Sequence, residues 1–189
     1  MRSTFLTLSL AALAAAPSAF AGDLDQVVDV GRATWSTARV GVVCDAEASR
    51  ERIQELARLM GGGTLTVADV RHAENVGRAT SALRLANPAY LVLFPDDPIV
   101  RDGSFAGTVA IHAMASYDVP TLATTRVGLQ QGAAAAIGPD TGNQLLLNHD
   151  LKGSIFVSGG YKASSLGGGT GNGSGNGGGM ARIVYLAEN

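Results

Sequence analysis

Apolar positions along this chain fall into short dense runs, separated by stretches whose apolar residues recur with helical spacing. Tyr90–Phe94 (YLVLF) is the clearest run, and it stops at Pro95-Asp96-Asp97-Pro98. So short a run, bounded by Pro on both sides, predicts a strand buried on both faces, as in a parallel sheet. Arg39–Cys44 (RVGVVC), Thr64–Val70 (TLTVADV), Thr121–Thr125 and Gly132–Ile137 (GAAAAI) predict four more. Between them Ile53, Leu56, Ala57 and Met60 recur at i, i+3, i+4, i+7, and Gly61-Gly62-Gly63 closes that helix. Asp45 is placed to cap it, with Glu47 near its positive end. Ala79, Ala82, Leu83 and Ala86 mark a second helix over Glu74–Ala86. A third runs from about Ser104 to Tyr117, with Phe105, Val109, His112 and Ser116 on one face and Ile111, Met114 and Ala115 on another.

Strand and helix in alternation imply parallel pairing through right-handed crossovers. The expected fold is α/β: a three-layer sandwich around an open, mostly parallel five-stranded sheet in the flavodoxin-like order 2-1-3-4-5. Residues 38–160 form its single domain. A leader over 22–37 spaces Leu24, Val27, Val28 and Val30 like a helix or a packed arm, and Trp35 is expected to cover an edge of the core. Gln144–Leu147 and Ser154–Val157 are short apolar runs without an assigned place. Residues 161–179 read as a flexible loop, mostly glycine from Gly167 onward. In 180–189, Met180–Ala187 (MARIVYLA) alternates as a strand does. It is either an extra edge strand or a segment that pairs with another chain.

The first 21 residues change the picture of location. A basic Arg2, an apolar Phe5–Ala16 and a terminal Ala19-Phe20-Ala21 are the parts of a secretory signal peptide. Cleavage there leaves about 168 residues, enough for one domain with a core. The expected destination is a bacterial periplasm, without stable membrane insertion. Net charge is −2 and the basic residues form no stripe, which disfavours nucleic acid. The single cysteine, Cys44, has no internal disulfide partner. It is a buried small hydrophobe or a site of intermolecular pairing.

Candidate chemistry gathers where ligands of open α/β sheets gather, beyond the strand carboxyl ends. Asp96-Asp97 sits there. Either these carboxylates accept from backbone N–H groups in the next turn, or they face a crevice and hold a cationic or hydroxylated ligand. His72, His112 and His149 lie at no ligand spacing from one another or from Cys44, so no metal is expected. His72, at the end of the second strand, is the one histidine near the ligand side. Gly173–Gly178 matches a dinucleotide fingerprint in letters only, since it opens no helix, and no cofactor is expected. No nucleophile–base pair stands out, which favours a chain that is not an enzyme.

Three stretches carry a resemblance. They are Arg39–Asp45 followed by Glu47-Ala48-Ser49; Tyr90–Asp97; and Val119–Thr125 with Leu129 and Gly132–Gly138. In order and spacing they resemble the second lobe of the ABC transporter substrate-binding proteins with a periplasmic-binding type I fold. The resemblance covers a little over half the chain. It implies transport-related ligand binding by a single lobe, at Cys44, Asp45, Asp96, Asp97, Thr125 and Arg126. Thr125-Arg126 departs from the family, which often has an Asp there. Only one of the family's two lobes fits in this length, so the implied partner is a small-molecule ligand, a periplasmic protein or a second copy in a homodimer. The alternative function is non-catalytic assembly, with the C-terminal edge strand pairing to another chain.

Overall fold

The computed structural model describes residues 21–35, 39–148 and 179–186. Most of the expected signal peptide, the Ser154–Val157 run, His149 and nearly all of the glycine-rich stretch lie outside these residues. In chain order the elements are α1 (Ala21–Trp35), β1 (Arg39–Cys44), α2 (Arg50–Met60), β2 (Thr64–Asp69), α3 (Val76–Leu85) and β3 (Tyr90–Val92). There follow α4 (Phe105–Ala115), β4 (Thr121–Ala123), α5 (Arg126–Gln130), β5 (Ala135–Ala136), β6 (Leu146–Leu147) and β7 (Arg182–Leu186). One open sheet takes all the described strands, in the order β6-β5-β4-β3-β1-β2-β7. Every pairing is parallel except β5 with β6.

The expectation of five strands is therefore corrected to seven: β6 was not expected, and β7 is the extra edge strand, one of the two readings of Met180–Ala187. β6 forms because Ala135 and Ala136 face Leu147 and Leu146 across an antiparallel pair. Two residues carry too little pattern to announce a strand. β7 lies at the opposite edge, its five residues in parallel register with Thr64–Ala68 of β2. The leader is a helix, α1, and α5 occupies a stretch for which no helix was expected.

Helices cover both faces of the sheet. Val40, Val42 and Cys44 of β1, Leu65 and Val67 of β2, and Tyr90, Val92 and Phe94 around β3 pack with α1 and α2. Their alternates Val43, Ala68, Leu91 and Leu93 pack with α3 and α4. This is the two-residue period of strands read onto two layers. In α4 the buried positions are Ala106, Gly107, Ala110, Ile111 and Met114. Phe105, expected on an apolar face, is instead 81 % exposed at the start of the helix. A helix apolar on several sides has no single face to read from spacing.

Helix ends follow local chemistry. The Ser104 hydroxyl accepts from Gly107 N at 2.9 Å and starts α4. Gly61 closes α2 in the left-handed conformation (φ 66°), its N–H donating to Arg58 O at 3.1 Å. Trp35 stacks on Tyr90 with ring centroids 5.0 Å apart, joining α1 to the middle of the sheet. Gly31 makes that approach possible, since a Cβ there would overlap the Tyr90 ring. Gly31→Ala should therefore cost about 1–3 kcal/mol by overpacking. Urea unfolding reads this as a lower midpoint at unchanged slope, and an unaltered midpoint would show that α1 does not depend on the contact.

Candidate functional site

Parallel strands bring their carboxyl ends to one side, and three carboxylates leave β1, β2 and β3 there: Asp45, Asp69 and Asp97. Asp97 is fully buried. Its Oδ2 accepts from Asp45 N at 2.9 Å and Ser49 Oγ at 2.7 Å. Its Oδ1 accepts from Ile99 N at 2.9 Å and Val100 N at 2.7 Å. One side chain thus ties the turn after β1 to the turn after β3, with both oxygens occupied. Of the two readings of Asp96-Asp97, capping describes Asp97. Its neighbour Asp96 faces outward, 45 % exposed, with its Oδ2 3.1 Å from Arg52 Nε of α2.

Asp45 caps, but one turn earlier than expected. Its Oδ1 accepts from Glu47 N and Ala48 N, each at 3.0 Å, in the turn that precedes Ser49 and α2. Asp69 closes the same turn from β2: its Oδ1 accepts from Ala46 N at 2.8 Å. Arg71 then gathers three carboxylates. Its Nε donates to Asp69 Oδ2 at 3.0 Å, and its Nη1 lies 2.9 Å from Glu47 Oε2 and 3.3 Å from Asp45 Oδ1. Beside this network opens a cleft of about 450 Å³, lined by Ala46, Glu47, Arg50, Asp69, Arg71, Tyr185 and Leu186. Charges of both signs stand on one wall, and Tyr185 and Leu186 at the end of β7 form the other.

A second cluster lies farther along the sheet. Asp102 Oδ2 accepts from Thr125 Oγ1 at 2.8 Å, Thr124 N at 3.2 Å and Thr124 Oγ1 at 3.4 Å. Thr125 also caps α5, its Oγ1 accepting from Gly128 N at 3.2 Å. Asp102 Oδ1 is buried with no hydrogen-bond partner among the described residues, and a Cβ on Gly128 would lie 2.7 Å from it. Burial raises the pKa of this carboxyl, against the opposing pull of the Thr125 and Thr124 donors. Arg126 is exposed, and its backbone N–H donates to Asp140 Oδ2 at 2.8 Å.

The six residues expected at the site thus divide. Cys44, Asp45 and Asp97 meet at the ends of β1 and β3, with Asp96 on the rim. Thr125 and Arg126 belong to the Asp102 cluster instead. The Cys44 side chain is buried, and burial pushes its thiol pKa far up, with the Asp97, Asp69 and Asp45 charges adding to the effect. Burial is the outcome expected of a small hydrophobe, and such a thiol is neither a nucleophile nor an accessible ligand. His72 is exposed. Among the described residues no three His, Cys, Asp or Glu side chains are placed to hold a metal ion, and no helix is long and apolar enough to cross a membrane. Asp69, Arg71 and Asp102 went unread in the sequence, and Glu47 was read only as an acid near the positive end of a helix. Asp69 was the findable one, because it ends β2 as Asp45 follows β1. No protein-family model matches the chain, and no curated protein matches it.

Two predictions follow from these bonds. Asp97→Ala strands four donors, two of them buried, and should cost roughly 3–5 kcal/mol, whereas Asp96→Ala removes a rim ion pair worth less than about 1 kcal/mol. Equal losses in chemical denaturation would refute the hub. Asp102 binds its proton more tightly folded than unfolded, so its contribution is fully present below about pH 3.9 and is lost as pH rises through the folded pKa. The stability difference between wild type and Asp102→Asn should accordingly fall with rising pH, and a flat difference curve would contradict a buried, titrating carboxyl.

Proposed function

We propose that this chain is an exported, non-catalytic, single-lobe protein similar to the substrate-binding lobes of ABC transporters, and that it binds a small polar ligand at the strand carboxyl ends. In this reading β2-β1-β3-β4-β5 is a flavodoxin-like core, and β6 and β7 are additions at its two edges. The observation that carries the proposal is the cleft beside Arg71, which lies at the end of the sheet where such ligands are held. Arg50 is the exposed cation of the lining outside the Arg71 carboxylate network, and it meets an anionic group. Glu47 faces an ammonium or hydroxyl, and Tyr185 covers an apolar body. A small zwitterion fits that distribution.

The proposal moves the binding residues from the Asp96-Asp97 pair toward the β1–β2 side. Asp97 is fully engaged in holding the two turns and serves the site by fixing them; Asp96 and Arg126 stand on the outer rim. The test is native mass spectrometry of the protein purified gently from the periplasm of its own host. A bound small molecule is expected on wild type and on Asp96→Ala, and it should be lost from Arg50→Glu, which reverses the charge of the cation outside the Arg71 network. A bare wild-type protein, or a ligand that survives Arg50→Glu, would remove the assignment.

A further inference from the structure

We propose that β7 is a dimerisation strand and that its partner is the β7 of a second copy of this chain, paired antiparallel about a twofold axis at Val184. The two edges of the sheet differ. One ends in β6, two residues long and antiparallel, which offers almost no template. The other ends in β7, five residues long, with no strand on its outer side among the described residues. Its sequence, Arg182-Ile183-Val184-Tyr185-Leu186, has neither the proline, the lysine nor the bulge by which lone edges are commonly blunted.

The direction of the backbone groups fixes which of them are open. Arg182 N donates to Gly63 O at 2.9 Å, so Arg182 faces β2. Peptide groups alternate along a strand, so Val184 and Leu186 face β2 as well, and Ile183 and Tyr185 turn their N–H and C=O groups to the open edge. A twofold placed at Val184 sets Ile183 opposite the partner's Tyr185 and Tyr185 opposite the partner's Ile183. Those are the outward-facing residues, so both pairs exchange N–H and C=O bonds and all four open peptide groups of each copy are satisfied. The side chains agree with this register. Ile183 packs on the α1/α2 layer, and Tyr185, on the same face by alternation, is 52 % exposed. Branched and aromatic residues directly opposite are a favourable cross-strand pair. Arg182 meets Leu186 rather than a second Arg182, so no like charges oppose. The interface is isologous and closes at two copies. The interface needs no ligand in the cleft, although Tyr185 borders both.

Two variants test it on the full secreted chain by sedimentation. Tyr185→Pro removes an outward N–H and leaves the β2 ladder intact, and proline is tolerated on such an edge. Wild type is expected to sediment as a dimer and Tyr185→Pro as a monomer. In the proposed register Val184 and its mate form a non-hydrogen-bonded pair with Cα atoms about 4.5 Å apart, inside the span of roughly 4.4–6.8 Å that a disulfide bridges. Val184→Cys should therefore give a covalent dimer on oxidation, reversed by reductant, and the native Cys44 is buried and takes no part. The cross-link decides the matter alone if Tyr185→Pro does not fold. A wild-type monomer at the highest soluble concentration, a dimer that persists in a folded Tyr185→Pro, or a dimer in which Val184→Cys fails to cross-link would each overturn the proposal.

Discussion

The carboxylate of Asp97 is the constraint on which the working end of this molecule depends. β1 and β3 are neighbours in the sheet, and each ends in a turn whose backbone N–H groups have no strand to bond. A buried, unbonded N–H is expensive, and an ionised carboxylate is the strongest small acceptor that a protein can supply. By accepting from both turns, Asp97 sets the start of α2 through Ser49 and the path toward α4 through Ile99 and Val100. Those helices lie on opposite faces of the sheet, so one side chain registers two layers against each other. The charge is placed among donors and is not left to a single counter-ion, which suits a site with no solvent contact.

Around this hub the polar groups become more exposed and more charged toward the β2 edge. Asp45 and Asp69 still spend an oxygen each on backbone N–H groups. Arg71 then joins both of them and Glu47 in one network. Exposed ion pairs add little to stability. Their effect here is positional: two loops that could move separately present a single surface. The Asp102 cluster does the same for β4 and α5 with hydroxyls in place of charges, and it leaves one carboxyl oxygen buried and without a hydrogen-bond partner among the described residues.

Much of this layering was legible because strand and helix periods are local. RVGVVC and TLTVADV fill β1 and β2, and Ile53, Leu56, Ala57 and Met60 are the buried positions of α2. What failed was either too short or too uniform. Two-residue β6 and five-residue α5 have no period, and α4 is apolar on several sides, so Phe105 could not be told from its neighbours. In the site, the acidic residues at strand ends were legible as a location and not as roles. Asp96 and Asp97 are adjacent in sequence, yet one is a rim charge and the other a buried knot. That difference lies in which turn each faces, and no spacing rule holds it. Asp102, within an ordinary Arg-Asp-Gly turn, gave no sign of the threonines that cradle it.

The least local element is also the one that completes the cleft. β7 comes from beyond the glycine-rich stretch and forms the wall of Tyr185 and Leu186 opposite Arg50 and Arg71. Its central residues Ile183 and Val184 are only half-buried, whereas the middle of every other long strand is closed to solvent. Beyond its ladder to β2, it is held by Ala181, which is buried and whose N–H donates to Ala57 O of α2 at 2.9 Å. Local opening is cheapest where few apolar contacts oppose it, so the cleft's apolar wall is its most easily displaced part, and its charged wall, knotted through Asp97 and Asp69, is the fixed one. A site with one rigid polar wall and one yielding apolar wall orients a ligand by its charges first and encloses its body second. Whatever orders β7, a ligand in the cleft or a strand along the edge, therefore acts on enclosure and leaves orientation as the carboxylates set it.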